Sequence, residues 1–374
     1  MSDHAASAEE LRALARELVS IPSHDDPTAA GDAIESWLRA ETDAAVERDD
    51  HGNVFARTGD PAAPTLALVG HHDVVPPGEP QTEAGPDGTE SYVVEERDGR
   101  LYGRGSADMK GAVAAAMCAL RDADPDGCEL CFASFVGEER GGVGARAAVA
   151  DGFAPEYAVV GEGSTNYSGE GVTDVVVAHK GRRASTLVAT GESAHASVPG
   201  EGANAVYRAC DAVDVVRDLP FPETTVRGEP VRGSLAVTGI DGGTAWNVVP
   251  DGCEVTVDER TVPGERAPLE RVERVDGVEW TVDQDLPPMA CSDGAFADTA
   301  LAATREAQSG TPDHVVKPHA TDAGWLAETG TACVICGAAE SGEAHTDGES
   351  VSLDVLDRCY RIYREVAERA SAFA

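Results

Sequence analysis

Residues 64–75, PTLALVGHHDVV, are an apolar run of strand length with prolines on both sides, a pattern that predicts a buried strand. Two further apolar runs, 128–139 (CELCFASFVGEE) and 157–163 (YAVVGEG), also predict buried strands and carry acidic residues at their ends. Between the first two runs, residues 108–120 (DMKGAVAAAMCAL) predict a helix opened by Asp108. Strands that alternate with helices indicate an α/β fold with a mainly parallel sheet, and functional residues are expected at the carboxyl ends of the strands.

Helices are also predicted towards both ends of the chain. Apolar residues recur at helical spacing in two N-terminal segments, one with Leu11, Leu14 and Leu18 and one with Ile34, Trp37 and Leu38. Asp32 is a candidate cap for the second helix. Segments 295–307 and 355–370 predict two further helices, with a strand at 332–337 between them.

The middle of the chain has a different pattern, which begins near residue 180. Strands separated by turns, with one helix near 203–217, indicate a strand, helix, strand, strand unit, and the chain turns helical again near residue 287. At 374 residues the chain exceeds the size at which a single hydrophobic core keeps growing. We therefore predict two domains, one formed by residues 1–179 and 286–374 and the other by an insertion of residues 180–285.

The charge is strongly acidic, with 67 acidic against 29 basic residues and a formal net charge of -38. Nucleic acid and anionic membranes are therefore not expected as partners, because both are bound by basic patches. The lysines are Lys110, Lys180 and Lys317 alone. An acidic, lysine-poor composition is similar to that of halophilic proteins from a high-salt cytoplasm, and an ordinary acidic protein is the alternative.

The nine cysteines are an odd number for a closed disulfide framework, and the first twenty residues lack the pattern of a secretory signal. No apolar stretch approaches the roughly 20 residues of a membrane-spanning helix. We therefore expect a reducing cytoplasm. Two CxxC pairs, Cys128 with Cys131 and Cys333 with Cys336, lie in predicted buried strands. We interpret them as buried small hydrophobic residues rather than as a zinc site or reactive redox thiols.

The first apolar run carries His71 and Asp73, which an extended strand end places on the same side. This geometry suits a carboxylate that orients a metal-bound imidazole, and His72 competes for the same role. Asp108 follows a glycine-rich turn at the predicted start of a helix, where the helix dipole favours an anion. A simple helix cap is the alternative for Asp108.

Glu138 and Glu139 are neighbours after the second run, and adjacent carboxylates repel each other unless a positive charge lies beside them. A metal ion supplies that charge, and two exposed glutamates on a loop are the alternative. Because neighbours on an extended segment diverge, one can ligate while the other faces a bound water. Glu162 follows the third run, and His345 lies near the C-terminus. Imidazole and carboxylate ligands of this kind suit zinc, cobalt or manganese.

These motifs make the sequence resemble the M20 family of zinc metallopeptidases and deacylases, which includes acetylornithine deacetylase, succinyl-diaminopimelate desuccinylase and carboxypeptidase G2. The resemblance covers nearly the whole chain and rests on motifs in the family's order: GHHDVVP, GRGSADMKG, GEE, GEG, GESAHASVPGEGANAV, NVVPDGCEVTVDER and AHTDGE. It implies an α/β phosphorylase/hydrolase-like zinc exopeptidase catalytic domain, formed by residues 1–179 and 286–374. Residues 180–285 would form an inserted ferredoxin-like α+β dimerisation or lid domain.

Position by position, the resemblance implies two divalent metal ions, with zinc preferred over cobalt or manganese. The implied ligands are His71, Asp108, Glu139, Glu162 and His345. Asp108 would bridge the two metals, one completed by His71 and Glu162 and the other by Glu139 and His345. Asp73 would orient His71. Glu138 would act as general base, taking a proton from the metal-bridging water and handing it to the leaving amine.

The resemblance also implies roles outside the metal site. His195 aligns with a histidine that reaches the site of a partner subunit in a homodimer and stabilises the tetrahedral oxyanion. Asn247 and Arg260 match positions around the substrate carboxylate, although Arg260 is equally suited to an ion pair on a strand surface. Thr321 and Asp322 lie in HATDAGW, which resembles a substrate-side loop of deacetylases and desuccinylases.

One segment departs from the family's pattern. Residues 337–345, GAAESGEAH, replace the GPG-type turn that precedes the last histidine in relatives, while His345 and Glu349 keep their places. The substrate contacts that the family makes through this loop are therefore not expected in this chain.

The implied activity is hydrolysis of the amide bond of an N-acyl amino acid, of acetylornithine deacetylase or succinyl-diaminopimelate desuccinylase type. A dipeptidase or carboxypeptidase acting on short peptides would use the same residues. A non-catalytic interaction or metal-storage relative is the alternative of another class. The presence of Glu138 beside the five implied ligands speaks against it.

Overall fold

The structure is a computed structural model that describes residues 7–84 and 90–374. The chain divides into two compact units. Within the described residues, unit 1 comprises the chain up to Ala178 together with Ala290–Lys317 and Thr321–Ala374, and unit 2 comprises His179–Met289 with Pro318–Ala320. The catalytic and lid roles of the two segments stay predictions.

The described helices are α1 (Ala8–Ser20), α2 (Thr28–Glu41), α3 (Gly111–Asp122), α4 (Val143–Ala150), α5 (Ala205–Arg217), α6 (Gly294–Glu306), α7 (Ala323–Glu328) and α8 (Leu353–Glu368). Short 3₁₀ helices occur at Glu79–Gln81, Pro199–Glu201, Leu269–Arg274 and Ala370–Ala372. No helix in the described ranges is both long and apolar enough to cross a membrane.

The described strands are β1 (Ala45–Arg48), β2 (Val54–Gly59), β3 (Thr65–His71), β4 (Thr82–Ala84), β5 (Glu90–Tyr92), β6 (Glu95–Arg97), β7 (Arg100–Tyr102), β8 (Glu129–Phe135), β9 (Tyr157–Val160), β10 (Val175–His179), β11 (Arg182–Thr190), β12 (Ala194–His195), β13 (Glu223–Val226), β14 (Glu229–Arg232), β15 (Ser234–Gly242), β16 (Val248–Val249), β17 (Gly252–Arg260), β18 (Val278–Leu286), β19 (Met289–Ala290), β20 (His314–Lys317), β21 (Ala332–Ile335) and β22 (Ser350–Ser352).

A nine-stranded sheet forms the centre of unit 1, in the order β1-β2-β8-β3-β9-β21-β10-β19, with β20 paired to β10. The three predicted strands β3, β8 and β9 are confirmed, and they are almost completely buried because both faces of the sheet are covered. Strands β8, β3, β9 and β21 run parallel. The prediction of a mainly parallel sheet holds for this centre only, since β2 pairs antiparallel with β8 and β10 pairs antiparallel with β21.

Two predicted helix starts are wrong. Helix α2 begins at Thr28 after Pro27, so Asp32 is not its cap. Asp32 instead forms an ion pair with Arg48 from inside the helix. Helix α3 begins at Gly111, and Asp108 lies before it with non-helical dihedral angles (φ -124°, ψ 93°). Asp108 is therefore not the cap of α3.

Unit 2 contains a four-stranded antiparallel sheet in the order β15-β17-β11-β18. Burial alternates along β11 and β17, because one face of the sheet packs against α5. The order of strands is that of a ferredoxin-like arrangement, in which the short 3₁₀ helix Leu269–Arg274 stands where a second α-helix would precede β18.

A buried ion pair fixes one end of this sheet. Glu259 is fully buried, and it accepts hydrogen bonds from Arg183 Nε at 2.6 Å and from the backbone N–H of Ala267 at 2.7 Å. We expect Arg183→Met to lower the free energy of unfolding by about 3–5 kcal/mol, because it leaves a buried carboxylate without its cation. Denaturant unfolding at fixed salt measures this effect.

Arg182→Met is the matched control on the same strand, since Arg182 is 40% exposed in its ion pair with Asp258. We expect Arg182→Met to lower the free energy of unfolding by less than about 1 kcal/mol. Equal losses for Arg182→Met and Arg183→Met would contradict the distinction between the two pairs.

The two CxxC pairs are buried, as predicted. Cys131 lies in β8 and Cys333 in β21, and burial raises the pKa of the Cys131 thiol to about 12. Among the nine cysteines Cys210 is exposed and the others are buried. We expect a thiol reagent to label Cys210 rapidly in the native chain, because such reagents react with accessible thiolates. In the unfolded chain all nine thiols should react with the reagent. Rapid labelling of several thiols in the native chain would contradict their burial.

Candidate metal centre and active site

The candidate site lies at the carboxyl ends of three adjacent parallel strands in unit 1. His71 is the last residue of β3, Glu138 and Glu139 follow β8, and Glu162 follows β9. Parallel strands bring their carboxyl ends to the same edge of a sheet, so residues far apart in sequence meet there. This edge is where the sequence predicted the functional residues.

His71 and Asp108 form the buried side of the site. Nε2 of His71 lies 3.1 Å from Oδ1 of Asp108 and 3.5 Å from Oε1 of Glu162. Burial alone would lower the pKa of His71, but its hydrogen bonds with Asp108 and other carboxylates raise that pKa well above its ordinary value. The imidazole therefore lies in a strongly negative field.

His345 and Glu139 form the open side. Nε2 of His345 lies 2.9 Å from Oε1 of Glu139 and 3.2 Å from Oδ2 of Asp108. Hydrogen bonds to Asp108 and Glu139 raise the pKa of His345 to about 10. The two oxygens of Asp108 thus face two different imidazoles, an arrangement that suits a carboxylate bridging two cations.

The donor set fits divalent metal ions. Ligand atoms of His71, Asp108 and Glu139 lie within 4.8 Å of one another, as do those of His71, Glu138 and Glu162. Imidazole and carboxylate are ligands of zinc, cobalt and manganese, and carboxylates packed this closely need cations between them. All five predicted ligand residues are therefore brought together around Asp108.

Glu138 is the fourth acidic residue of the cluster, and its surroundings differ from those of the other three. Burial raises its pKa well above the ordinary value, and the charges of Asp322, Glu162 and Glu139 act in the same direction. A carboxylate in such surroundings accepts a proton readily. This environment suits a general base.

Asp73 has a second role that the sequence did not reveal. Nδ1 of His71 lies 3.0 Å from the backbone oxygen of Asp73 and 3.6 Å from its carboxylate oxygen Oδ1. The Asp73 carboxylate accepts hydrogen bonds from the backbone N–H groups of Glu138 at 3.1 Å and Glu139 at 3.2 Å. It therefore orients the turn that carries both glutamates, while its carbonyl contributes to the orientation of His71.

His72, the competitor of His71, faces away from the cluster. Its Nδ1 lies 2.9 Å from the hydroxyl of Ser134 on the neighbouring strand. Burial lowers the pKa of His72 to about 3, which keeps its imidazole neutral.

Glu349 holds the turn that carries Asp108. Its Oε1 accepts hydrogen bonds from the backbone N–H groups of Ala107 at 3.0 Å and Asp108 at 3.1 Å. Its Oε2 lies 2.5 Å from Nη1 of Arg104, and both side chains are buried. A residue of the C-terminal segment thus holds the backbone at Asp108, and the alternative of a simple helix cap is wrong because α3 begins at Gly111.

The segment 337–345 that departs from the family pattern is anchored by Arg100. Its guanidinium lies 2.9 Å from Glu340, 3.1 Å from Glu343 and 2.9 Å from the hydroxyl of Ser350. His345 follows with a left-handed backbone (φ 65°). Two glutamates of this loop, Glu340 and Glu343, thus bind one arginine.

Asp322, which the sequence places with Thr321 in the predicted substrate-side loop, lies close to the cluster and interacts electrostatically with His71 and Glu162. It is 3% exposed, and its two carboxylate oxygens have no hydrogen-bond partner among the described residues. Burial raises its pKa to about 7. The signal for it was its position beside Thr321 in HATDAGW.

The predicted oxyanion donor, His195, lies exposed at the end of β12 in unit 2. Its Nδ1 accepts a hydrogen bond from the backbone N–H of Ser197 at 3.1 Å. Because Nδ1 is an acceptor, the neutral ring carries its proton on Nε2, which is then a donor directed away from Ser197. The catalytic role of His195 stays a prediction.

The predicted substrate-binding residues are distributed over both units. In unit 2, Asn247 is exposed and its backbone oxygen binds the N–H of Ala196, while Nε of Arg260 binds Asp258 at 2.8 Å. In unit 1, Thr321 is buried and its hydroxyl accepts the N–H of Ala323 at 3.2 Å. Their contacts with substrate stay predictions.

Comparison with known proteins gives relatives along most of the chain. Curated relatives include an acetylornithine deacetylase of Myxococcus xanthus, 30% identical over 85% of this chain and 83% of its own length. A succinyl-diaminopimelate desuccinylase of Stenotrophomonas maltophilia is 28% identical over 94% of this chain and 97% of its own length.

The fold is shared with solved structures. One is the YXEP protein of Bacillus subtilis, described as a dinuclear metal binding peptidase from the M20 family. It superposes with a TM-score of 0.71 at 17% identity, over 97% of this chain and 98% of that one. The model of peptidase family M20/M25/M40 matches residues 67–369, a range that contains all five predicted ligands. The chain therefore belongs to peptidase family M20/M25/M40.

Proposed function

We propose that this chain is a dinuclear metal-dependent hydrolase that cleaves the amide bond of N-acyl amino acids. Membership of the M20 family and the names of its relatives support a hydrolase. The observation that carries the proposal is the position of Asp108, whose two oxygens face His71 and His345. A carboxylate between two imidazoles, each with its own glutamate, is suited to bridging two cations.

In this proposal each ion has its own ligands. Asp108 would bridge them, His71 and Glu162 would hold one, and Glu139 and His345 would hold the other. We favour zinc, and cobalt and manganese suit the same ligands. When bound, such ions polarise the scissile carbonyl and acidify the attacking water.

The remaining steps belong to the residues of the chain. Glu138 takes a proton from the water that attacks the carbonyl carbon, and then hands it to the amine nitrogen as the C–N bond breaks. Asp73 holds the backbone of Glu138 in place during both transfers. The Nε2–H of His195 would donate a hydrogen bond to the tetrahedral oxyanion.

His195 would act on the site of a partner subunit, so we propose a homodimer in which residues 180–285 form the dimerisation or lid domain. Asn247 and Arg260 would bind the substrate carboxylate, and Thr321 would contact the substrate from its own loop. Light scattering combined with activity assays tests this assignment. A fully active monomer would contradict it.

The substrate class is tested with steady-state kinetics. Acetylornithine, succinyl-diaminopimelate and a panel of dipeptides are compared at equal enzyme concentration, with the zinc-loaded chain. We expect an N-acyl amino acid to give a kcat/KM at least about tenfold above that of every dipeptide, because a pocket that hydrogen-bonds one substrate rejects those without matching groups. The reverse order would favour the alternative, a dipeptidase or carboxypeptidase.

The acidic composition supports our proposal that this chain is a halophilic, cytoplasmic protein. With a net charge of -38, self-repulsion opposes the compact state until salt screens it. We expect the thermal unfolding midpoint to rise markedly between about 0.1 M and 2 M KCl, as the Debye length falls from about 10 Å to below 3 Å. Sucrose is the uncharged control, and full stability without added salt would refute the halophilic assignment.

A further inference from the structure

Lys317 is the last residue of β20 and is buried beside the metal-site residue Glu162. Its Nζ lies 3.3 Å from Oε2 of Glu162 and 2.9 Å from the backbone oxygen of Gly163. Both charged side chains are only 10% exposed. One of the three lysines in a strongly acidic chain is thus bound to a residue of the candidate metal centre.

The two oxygens of Glu162 have different neighbours. Oε1 lies 3.5 Å from Nε2 of His71, on the side of the cluster, whereas Oε2 faces the ammonium group of Lys317. The second contact of Lys317, with the carbonyl of Gly163, fixes the ammonium group on that side. Since β20 is paired to β10 in the central sheet, the backbone of Lys317 is anchored as well.

We propose that Lys317 is a positioning residue that restricts Glu162 to binding its metal ion through one oxygen, Oε1. This inference rests on the proposed metal centre. An ammonium group held on Oε2 competes with a metal ion for that oxygen and lowers the negative charge that Glu162 donates. The metal then keeps a coordination position open for water or substrate, as catalytic zinc sites require.

Loss of Lys317 should change the metal affinity in opposite directions, depending on whether Lys317 positions Glu162 or only supports the local fold. Without Lys317, Glu162 is free to bind through both oxygens, and one positive charge that repels the metal is removed. The metal should then be held more tightly and act as a weaker Lewis acid. A residue that only supports the local fold would, when lost, loosen the metal.

The variant is Lys317→Met, which keeps the aliphatic chain and removes the charge. We expect release of zinc to a chelator to slow by about tenfold and kcat to fall by about tenfold with KM within about twofold, because metal affinity and Lewis acidity move in opposite directions. Arg305→Met is the control, since it removes one exposed charge from α6. Faster zinc release, or unchanged kcat, from Lys317→Met would overturn the proposal.

A second measurement does not depend on whether the variant folds. The crystal structure of the zinc-loaded natural chain should have Oε1 of Glu162 at about 2.0–2.2 Å from zinc and Oε2 on Lys317. Zinc bound by both oxygens would overturn the inference and leave the proposed function intact. Absence of zinc from the cluster after loading would overturn the proposed function and the inference together.

Discussion

Replacing Glu138 with Gln should reduce kcat by about 10²–10⁴-fold while the protein stays folded and keeps its metal ions. The amide has nearly the same shape as the carboxylate but cannot take the proton of the attacking water. Because the Asp73 carboxylate binds the backbone N–H of Glu138, the turn should keep its position in the variant. Steady-state kinetics with the best N-acyl amino acid measure the loss.

The matched control is Glu41→Gln, an exposed glutamate at the end of α2. It should leave kcat, KM and metal content unchanged. A Glu138→Gln variant as active as the natural chain would remove Glu138 from the mechanism. Reduced activity together with lost metal would mean that Glu138 is a ligand rather than the base.

Replacing Asp108 with Asn should lower the bound metal from two ions per chain to one or none, and reduce kcat/KM by at least about a thousandfold. An asparagine offers one acceptor oxygen and one amide nitrogen, so it cannot present an anionic oxygen to each of two cations. Glu349 binds the backbone of Asp108, which should keep the turn in place. Elemental analysis and kinetics on the same sample measure both effects.

Asp124→Asn, at an exposed position after α3, is the control and should retain both metals and full activity. Circular dichroism must report native folding for both variants. Two tightly bound ions in Asp108→Asn would contradict a bridging carboxylate, even if activity fell.

Much of the fold and the candidate cluster follows from local sequence signals. The runs that became β3, β8 and β9 are apolar over their whole length because both faces of the sheet are covered, and such runs are recognisable without homologues. Since the strands are parallel neighbours, their carboxyl ends had to bring His71, Glu139 and Glu162 close together.

The features that the sequence did not reveal depend on contacts between distant residues. The turn of Asp108 is set by Glu349 and Arg104, so a rule for local helix capping assigned it wrongly. Asp32 was misassigned for a similar reason, because its partner Arg48 lies in another element. The antiparallel edges of the sheet were missed because the direction of a strand depends on the neighbour it pairs with. Strand β10 is fully buried like the parallel strands, yet it pairs antiparallel with β21.

The electrostatic surroundings of the cluster were equally hidden. Lys317 and Asp322 stand five residues apart in the chain, on either side of a segment that belongs to unit 2, yet both are buried in unit 1. Nothing in the residue types of that segment distinguishes a buried charge from an exposed one. Their burial becomes apparent only when β20 and α7 are placed against the rest of the fold.

We propose that two metal ions bound around Asp108 make this chain an amide hydrolase. The most direct test is the metal content of the purified chain, measured before and after chelation in parallel with hydrolysis of acetylornithine and succinyl-diaminopimelate. We expect two ions per chain, loss of activity on chelation without unfolding, and recovery in proportion to the zinc restored. A chain that hydrolyses these substrates equally well with only traces of metal would contradict the account.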